Sequence, residues 1–366
     1  MSTSASSEFI WDNPMGTDGF EFIEYCSNEP EILAKLFLQL GFKAVAKHKR
    51  KDVTLYRQGE INFIVNSENP SFGGAFSMLH GPSVCAIALR FQNANEAYER
   101  ALKLGAEPWN SNHSDSELRI PAIKGVGGSL IYFVDRYAND TIYDVDFDWI
   151  PGADRNPKGH GLHLVDHLTH NVHRGRMKQW ANFYEDLFNF REIRHFDIEG
   201  KLTGLRSKAM TSPCGKIRIP INESIDEKSQ IEEFLELYHG EGIQHIALST
   251  TNIYETVESL RESGVRFLST PKTYYELLPK RLPDHGEDVQ RLSRNEILLD
   301  GIPSQNEVEG DKLLLQIFTE TVIGPIFFEI IQRKGDDGFG EGNFQALFDS
   351  IEMDQVKRGF LEASHG

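Results

Sequence analysis

Two residues of this sequence sit where their chemistry is costly. His245 lies within Ile243-Gln244-His245-Ile246-Ala247-Leu248, and Glu329 lies within Ile326-Phe327-Phe328-Glu329-Ile330-Ile331, the most apolar stretch of the chain. Burying an unpaired carboxylate costs several kcal/mol, so Glu329 must be protonated, ion-paired or bound to a metal. A third group of candidates is the histidine-rich stretch with His160, His163, His167, His170 and His173. Its leucines, Leu162, Leu164 and Leu168, alternate as in a strand. Such a strand shows His163 and His167 on one face and His170 on the other. Spacing alone leaves His163, His167 and His170 all open. Taken singly, a strand histidine is ordinarily a packed core residue, and a buried glutamate is often half of an ion pair. Taken together, two histidines and one carboxylate on three strands are the ligand set of non-haem Fe(II) oxygenases, which keep positions open for substrate and dioxygen. A catalytic zinc site uses the same donors.

The elements that must position these residues occur twice. Val84-Cys85-Ala86-Ile87-Ala88-Leu89, followed by the helical pattern from Asn93, is echoed by Ile243 to Leu248, followed by the pattern from Asn252. The offset is a constant 159 residues, with Ala86 against His245. A fixed internal period of this kind signals a duplicated unit. Matching Arg136 to Arg333 at the strand that closes each copy, an offset of 197, sets Tyr132 against Glu329. For the third ligand the expected first-copy counterpart is Glu24. The first copy therefore lacks the histidine and the carboxylate of the second, and the chemistry belongs to the second.

Each copy reads as strand, helix, then several strands, twice over. The first has strands at Phe20–Cys26, Val53–Tyr56, Ile61–Val65, Val84–Leu89 and Ser129–Val134, with helices at Pro30–Leu40 and Asn93–Leu104. The second has strands near Leu164–Thr169, Glu192–Phe196, Leu202–Ser207, Lys216–Ile221, Leu313–Phe318 and Pro325–Ile331, and a helix over Gly175–Leu187. Runs of strands with helices packed on one face predict an α+β fold rather than a doubly wound parallel sheet. The connector holding Pro151, Gly152, Pro157 and Gly159 divides the chain into domains at 1–152 and 153–366. An amphipathic helix from Asn343 to Leu361 is expected to end the second domain.

Composition narrows the partners. At 366 residues there is length for two domains with their own cores. A net charge of −17 repels phosphate backbones, and no basic stripe offsets it, so nucleic acid is not an expected partner. No apolar run approaches the roughly 20 residues that span a bilayer, and the start carries no basic-then-apolar signal. Cys26, Cys85 and Cys214 are odd in number and far apart, with no CxxC, so a reducing cytoplasm is the expected compartment. The glycine runs do not make a phosphate cradle. Gly125-Val126-Gly127-Gly128 leads into a strand rather than a helix, and Gly338, Gly340 and Gly342 lack the Lys-Ser/Thr of a P-loop.

Longer motifs point further. Asp166-His167-Leu168-Thr169-His170-Asn171-Val172, Glu241-Gly242-Ile243-Gln244-His245, Leu314-Leu315-Gln316-Ile317-Phe318 and Phe328-Glu329-Ile330-Ile331-Gln332-Arg333-Lys334-Gly335 stand out. With Gly338-Phe339-Gly340-Glu341-Gly342-Asn343-Phe344, they resemble the bacterial 4-hydroxyphenylpyruvate dioxygenase family over nearly the whole chain. The resemblance implies two tandem vicinal-oxygen-chelate modules, each a pair of βαβββ units, with one Fe(II) in the C-terminal open barrel and a C-terminal gating helix. It selects His167, His245 and Glu329 as metal ligands. It gives Gln244, Gln316, Asn222, Gln230 and Ser207 roles in placing the substrate, and makes Phe318, Phe327, Phe339, Phe344 and Phe348 the ring pocket. Gln244, next to His245, should face away from the metal unless a bulge intervenes. The implied reaction joins 4-hydroxyphenylpyruvate, an aromatic α-keto acid, with O2 to give homogentisate and CO2 in tyrosine and phenylalanine catabolism. It also implies a homo-oligomer, tetramer or dimer. Hydroxymandelate synthase and extradiol dioxygenases share the module and the donor set, and a metal-free sequestering protein of this fold would have no need of a buried Glu329.

Overall fold

The computed structural model describes residues 11–110, 117–199, 204–302, 312–340, 342–344, 355 and 358–359. The first copy comprises β1 (Thr17–Cys26), α1 (Pro30–Gln39), β2 (Lys43–His48), β3 (Val53–Gln58), β4 (Ile61–Asn66), α2 (Phe72–His80), β5 (Ser83–Phe91), α3 (Ala94–Lys103), β6 (Pro108–Trp109), β7 (Ala122–Lys124), β8 (Leu130–Val134), α4 (Ile142–Asp146) and β9 (Phe147–Trp149). The second comprises β10 (Leu162–Val172), α5 (Met177–Phe188), β11 (Arg191–Glu199), β12 (Gly204–Thr211), β13 (Arg218–Ser224), α6 (Gln230–Tyr238), β14 (Gly242–Thr250), α7 (Ile253–Glu262), α8 (Lys272–Arg281), α9 (Val289–Asn295), β15 (Leu298–Ile302), β16 (Lys312–Phe318) and β17 (Phe327–Lys334).

The duplication is explicit in the strand order. The second sheet runs β11-β12-β13-β10-β14-β17-β16-β15. Read from the other edge, the first runs β2-β3-β4-β1-β5-β8-β7-β6, with β9 added beside β2. Helices cover one face of each sheet, as local sequence directs. Pro30 opens α1, and Asn93 and Asn252 cap α3 and α7 by accepting from Glu96 N–H and Glu255 N–H. The helix-facing residues of β10 and β13, Leu168, Val172, Ile219 and Ile221, join Tyr184 of α5 and Phe234 of α6 in one buried core. The opposite faces of those strands are left for the site.

Strand register confirms two of the expected correspondences and corrects the third. Ala86 pairs with Leu130 and Ala88 with Tyr132, while His245 pairs with Phe327 and Ala247 with Glu329. The offsets of 159 and 197 are thus the structural ones. On the first strand, however, Phe22 pairs with Ala88 as His167 pairs with Ala247. The counterpart of His167 is Phe22, an offset of 145, and Glu24 instead matches Thr169. The expectation of Glu24 is off by two residues, one full step of the strand alternation, which keeps Glu24 and Phe22 on the same face and so is invisible to a face-by-face reading.

The glycine run ending at Gly128 joins the copies. Gly127 (φ +63°) rests on the carbonyl of Glu241, so close that a Cβ there would sit 1.9 Å from that oxygen. Gly324 (φ +53°), its counterpart by the offset of 197, faces the carbonyl of Pro82, the counterpart of Glu241. Each copy thus places a glycine turn on the residue just before the other's central strand. Only a side chain absent altogether permits the Gly127 approach. Among the described residues no helix is long and apolar enough to cross a membrane.

Candidate metal centre

Strands β10, β14 and β17 are adjacent in the second sheet, and they bring His167, His245 and Glu329 together. One donor atom from each lies within 4.8 Å of the others, and all three residues are buried. Glu329 Oε2 is 3.2 Å from His167 Nε2 and 3.5 Å from His245 Nε2. Ligands in adjacent positions around one ion, each about 2.1 Å from it, stand about 3 Å apart.

Two bulges aim this set. Val165 pairs with Leu248 and His167 with Ala247, so Asp166 is the extra residue on β10. Thr169 pairs with His245 and His170 with Ile243, so Gln244 is the extra residue on β14. Each bulged side chain turns toward the histidine that follows it. Asp166 Oδ1 lies 2.8 Å from His167 Nδ1, and Gln244 Oε1 lies 3.2 Å from His245 Nδ1. With Nδ1–H donating to these oxygens, both rings present the Nε2 lone pair toward Glu329, the form in which imidazole binds a metal. The donor set fits a divalent cation.

The surrounding charges act differently on the members of the set: without a metal, Glu329 favours a proton on His167, and a cation between them would take that proton's place. Burial opposes the Asp166 carboxylate, yet Arg333, paired with it through two contacts of 2.7 and 2.8 Å, holds its pKa well below the usual range. Burial also opposes a charged His167, but Glu329 and Asp166 outweigh it and raise its pKa. For His245, burial and then the neighbouring His167 push the pKa well down, which keeps that ring neutral. His170 is excluded as a ligand: it faces the helices, with Nε2 2.8 Å from the Tyr184 hydroxyl, and burial lowers its pKa to about 4. His163 is only half-buried, beside Gly59 and Glu60 at the edge of the first copy.

Aromatic rings wall the centre. Phe327 stacks on His245 with centroids 4.8 Å apart, and Phe318 meets Phe327 edge-on at 6.2 Å. Phe339 stands 5.5 Å from the His167 ring. Phe344 reaches the group through Phe196, at 5.4 Å. Phe196 was not among the expected wall residues, although its place near the end of β11 was the available signal. Ser207 and Asn222 pair across β12 and β13 on the face opposite the helices, and Asn222 Nδ2 contacts Asn171 Oδ1 at 3.4 Å. On that face Thr169 Oγ1 and Asn171 Nδ2 are buried without a hydrogen-bond partner among the described residues. Gln230, half-buried at the first turn of α6, is not brought to the ligands by any described contact. Gln316 is fully buried and already engaged: its Nε2 donates to Glu329 Oε1 at 2.8 Å and to the Phe339 carbonyl at 3.1 Å. Phe348 and most of the expected terminal helix lie outside the described residues; residues 342–344 are helical.

Known proteins with this architecture are close in sequence. Residues 11–148 match the family model described as hydroxyphenylpyruvate dioxygenase, N-terminal, and residues 143–278 match that of the glyoxalase/bleomycin resistance protein/dioxygenase superfamily. Hemolysin VllY of Vibrio vulnificus is 59% identical, covering 95% of this chain and 98% of that protein. The 4-hydroxyphenylpyruvate dioxygenase of Pseudomonas aeruginosa is 56% identical, covering 95% and 97%. Among solved structures, a variant of 4-hydroxymandelate synthase from Streptomyces coelicolor superposes with a TM-score of 0.80 at 25% identity, covering 93% of this chain and all of that one. A fusion of a xylose isomerase-like TIM barrel with 4-hydroxyphenylpyruvate dioxygenase gives a TM-score of 0.78 at 32% identity, and the match spans 96% of this chain and 55% of the fusion. With its two vicinal-oxygen-chelate units and identity of this extent, the chain belongs to the 4-hydroxyphenylpyruvate dioxygenase family.

Proposed function

We propose that this chain is an Fe(II)-dependent dioxygenase that converts 4-hydroxyphenylpyruvate and O2 to homogentisate and CO2. The observation that carries the reading is the convergence of His167, His245 and Glu329 on one buried point, with both Nδ1 atoms engaged from outside. These three residues would hold the metal, and when bound it would supply dioxygen activation and a chelation point for the α-keto acid of the substrate. Three protein ligands leave room for that chelate. No separate keto acid is required, since the substrate carries its own.

The chain's own residues do the rest. Asp166 and Gln244 fix the imidazole orientation, so that both Nε2 atoms face the Glu329 carboxylate. Phe318, Phe327 and Phe339, with Phe196 and Phe344, form an apolar wall that would hold the aromatic ring in register and exclude water from the reacting carbon. Ser207 and Asn222, with the unpaired Thr169 and Asn171 groups, offer hydrogen bonds to polar substrate atoms. Gln316 works through Glu329 rather than by direct contact. Residues 153–366 are then the catalytic unit and 1–152 a scaffold without metal.

The test is Fe(II) loading without oxygen, followed by addition of 4-hydroxyphenylpyruvate and O2 with product identification. Homogentisate and CO2 in equal amounts support the reading. Hydroxymandelate as the main product would transfer it to the reaction named for the Streptomyces neighbour, and absence of turnover would refute it.

A further inference from the structure

The segment between α7 and β15 has no counterpart in the first copy, where only four residues separate α3 from β6. It carries α8 and α9. Nothing in the metal site itself calls for them, yet two side chains of α8, Tyr274 and Arg281, are wired to Glu329. Arg281 Nη2 donates to Tyr274 Oη at 2.7 Å, and the Leu299 N–H donates to the same oxygen at 2.9 Å. Having accepted twice, that hydroxyl turns its proton outward, and Asn343 Oδ1 is 2.7 Å away, with the Leu299 carbonyl at 2.9 Å. Asn343 Nδ2 then donates to Gln316 Oε1 at 2.9 Å, and Gln316 Nε2 donates to Glu329 Oε1.

Direction runs one way along this chain. A flipped Asn343 would present a third donor to the Tyr274 oxygen. A flipped Gln316 would set its oxygen against Glu329 Oε1 and the Phe339 carbonyl, bringing three acceptors together. The fixed donors at Arg281 and Leu299 therefore determine that Glu329 Oε1 receives a hydrogen bond, while Oε2 is left facing the two histidines. Asn343 and Gln316 are both fully buried, and Gly340 approaches so closely that a Cβ there would lie 2.1 Å from Gln316 Oε1. Asp300 closes the base, accepting from Arg281 Nη1 at 3.0 Å and from the Gly342 N–H at 2.6 Å. In the first copy, Phe318 corresponds to Ala122, which places Ile120 where Gln316 stands. The polar chain exists only where the metal carboxylate exists.

We infer that Asn343, Tyr274 and Arg281 are positioning residues that tie α8 to the Glu329 carboxylate through Gln316. This rests on Glu329 being a metal ligand, as proposed above. Seating Asn343 on Tyr274 and orienting the carboxylate are then one event. A merely structural network would stabilise the fold without tuning metal affinity.

The experiment measures Co(II) dissociation constants by chelator competition for the wild type, Tyr274→Phe, Gln316→Leu and the double variant, with thermal unfolding as a check of folding. Tyr274→Phe keeps the ring and removes the link; it should weaken Co(II) binding about tenfold, as Gln316→Leu should by removing the direct partner of a metal ligand. The same change should add nothing in the Gln316→Leu background. Asn343→Asp should weaken binding more, because its carboxylate forces the Gln316 amide to turn its oxygen toward Glu329. If Tyr274→Phe unfolds, Arg281→Lys at the exposed end serves in its place. Unchanged Co(II) affinity in folded Tyr274→Phe would overturn the inference, as would tenfold losses that multiply in the double variant. Wild-type protein that takes up no Co(II) would instead remove the metal centre, and the inference with it.

Discussion

At three equivalent register positions the first copy has Phe22, Ala86 and Tyr132, and the second has His167, His245 and Glu329. The frame around them is shared. Both copies bulge at the residue before the first position, Glu21 or Asp166, and at the residue before the second, Cys85 or Gln244. Both pair the bulged acid with an arginine, Arg90 with Glu21 at 2.6 Å and Arg333 with Asp166. Where the second copy converges three donors, the first packs the rings of Phe22 and Tyr132 5.7 Å apart amid Val45, Leu55 and Ile64. The bulge and the buried ion pair are therefore properties of the fold, while metal chemistry depends on what stands at three positions.

The comparison can be broken first at the carboxylate. Glu329→Ala should leave the fold intact, as the first copy does without a carboxylate there. It should abolish metal retention and lower turnover about a thousandfold or more, since a metal contributes several kcal/mol to the transition state. Steady-state rates with bound-metal analysis check this. Asp166→Asn comes next, because it leaves Arg333 buried without its anion and turns an amide N–H toward either Arg333 or His167 Nδ1. A loss of about 3–5 kcal/mol in stability and a 10- to 100-fold loss in metal affinity are expected, read by denaturant unfolding and chelator competition.

Acid should separate the copies. His170, buried with a pKa of about 4, occupies the position of Tyr25 in the first copy. Its folded pKa is depressed, so the unfolded chain binds the proton first, and stability is lost as pH falls from about 6.5 through 4. The loss amounts to about 3 kcal/mol. His170→Phe should flatten the dependence of unfolding free energy on pH across that window. At the clasp, Gly127→Ala should destabilise by about 2–4 kcal/mol and Gly324→Ala by about 1 kcal/mol, because both demand positive φ but only Gly127 would collide with a carbonyl. Equal effects on the thermal midpoint would contradict that asymmetry.

How much of this could be read from the sequence depends on register. His245 and Glu329 were legible because a polar residue in an apolar strand, absent from its repeat, is a local signal. Both inferred offsets match the strand pairing. His167 was not legible from spacing, because the bulge at Asp166 shifts the alternation that would have singled it out. The bulge at Gln244 was foreseen only as a condition. Helices α8 and α9 gave no signal of their role, since the contact of Tyr274 with Asn343 joins residues 69 apart in the chain. Gly127 reads only as part of a glycine run leading into a strand, and nothing marks Gly324, because the partner carbonyls lie in the other copy.

The central claim, that one of two copies of the same frame holds the metal, is tested most directly by metal stoichiometry per chain in the wild type and in His245→Ala. The account predicts one Fe(II) per wild-type chain and none in the variant. Two per chain, or one retained after His245→Ala, would contradict it.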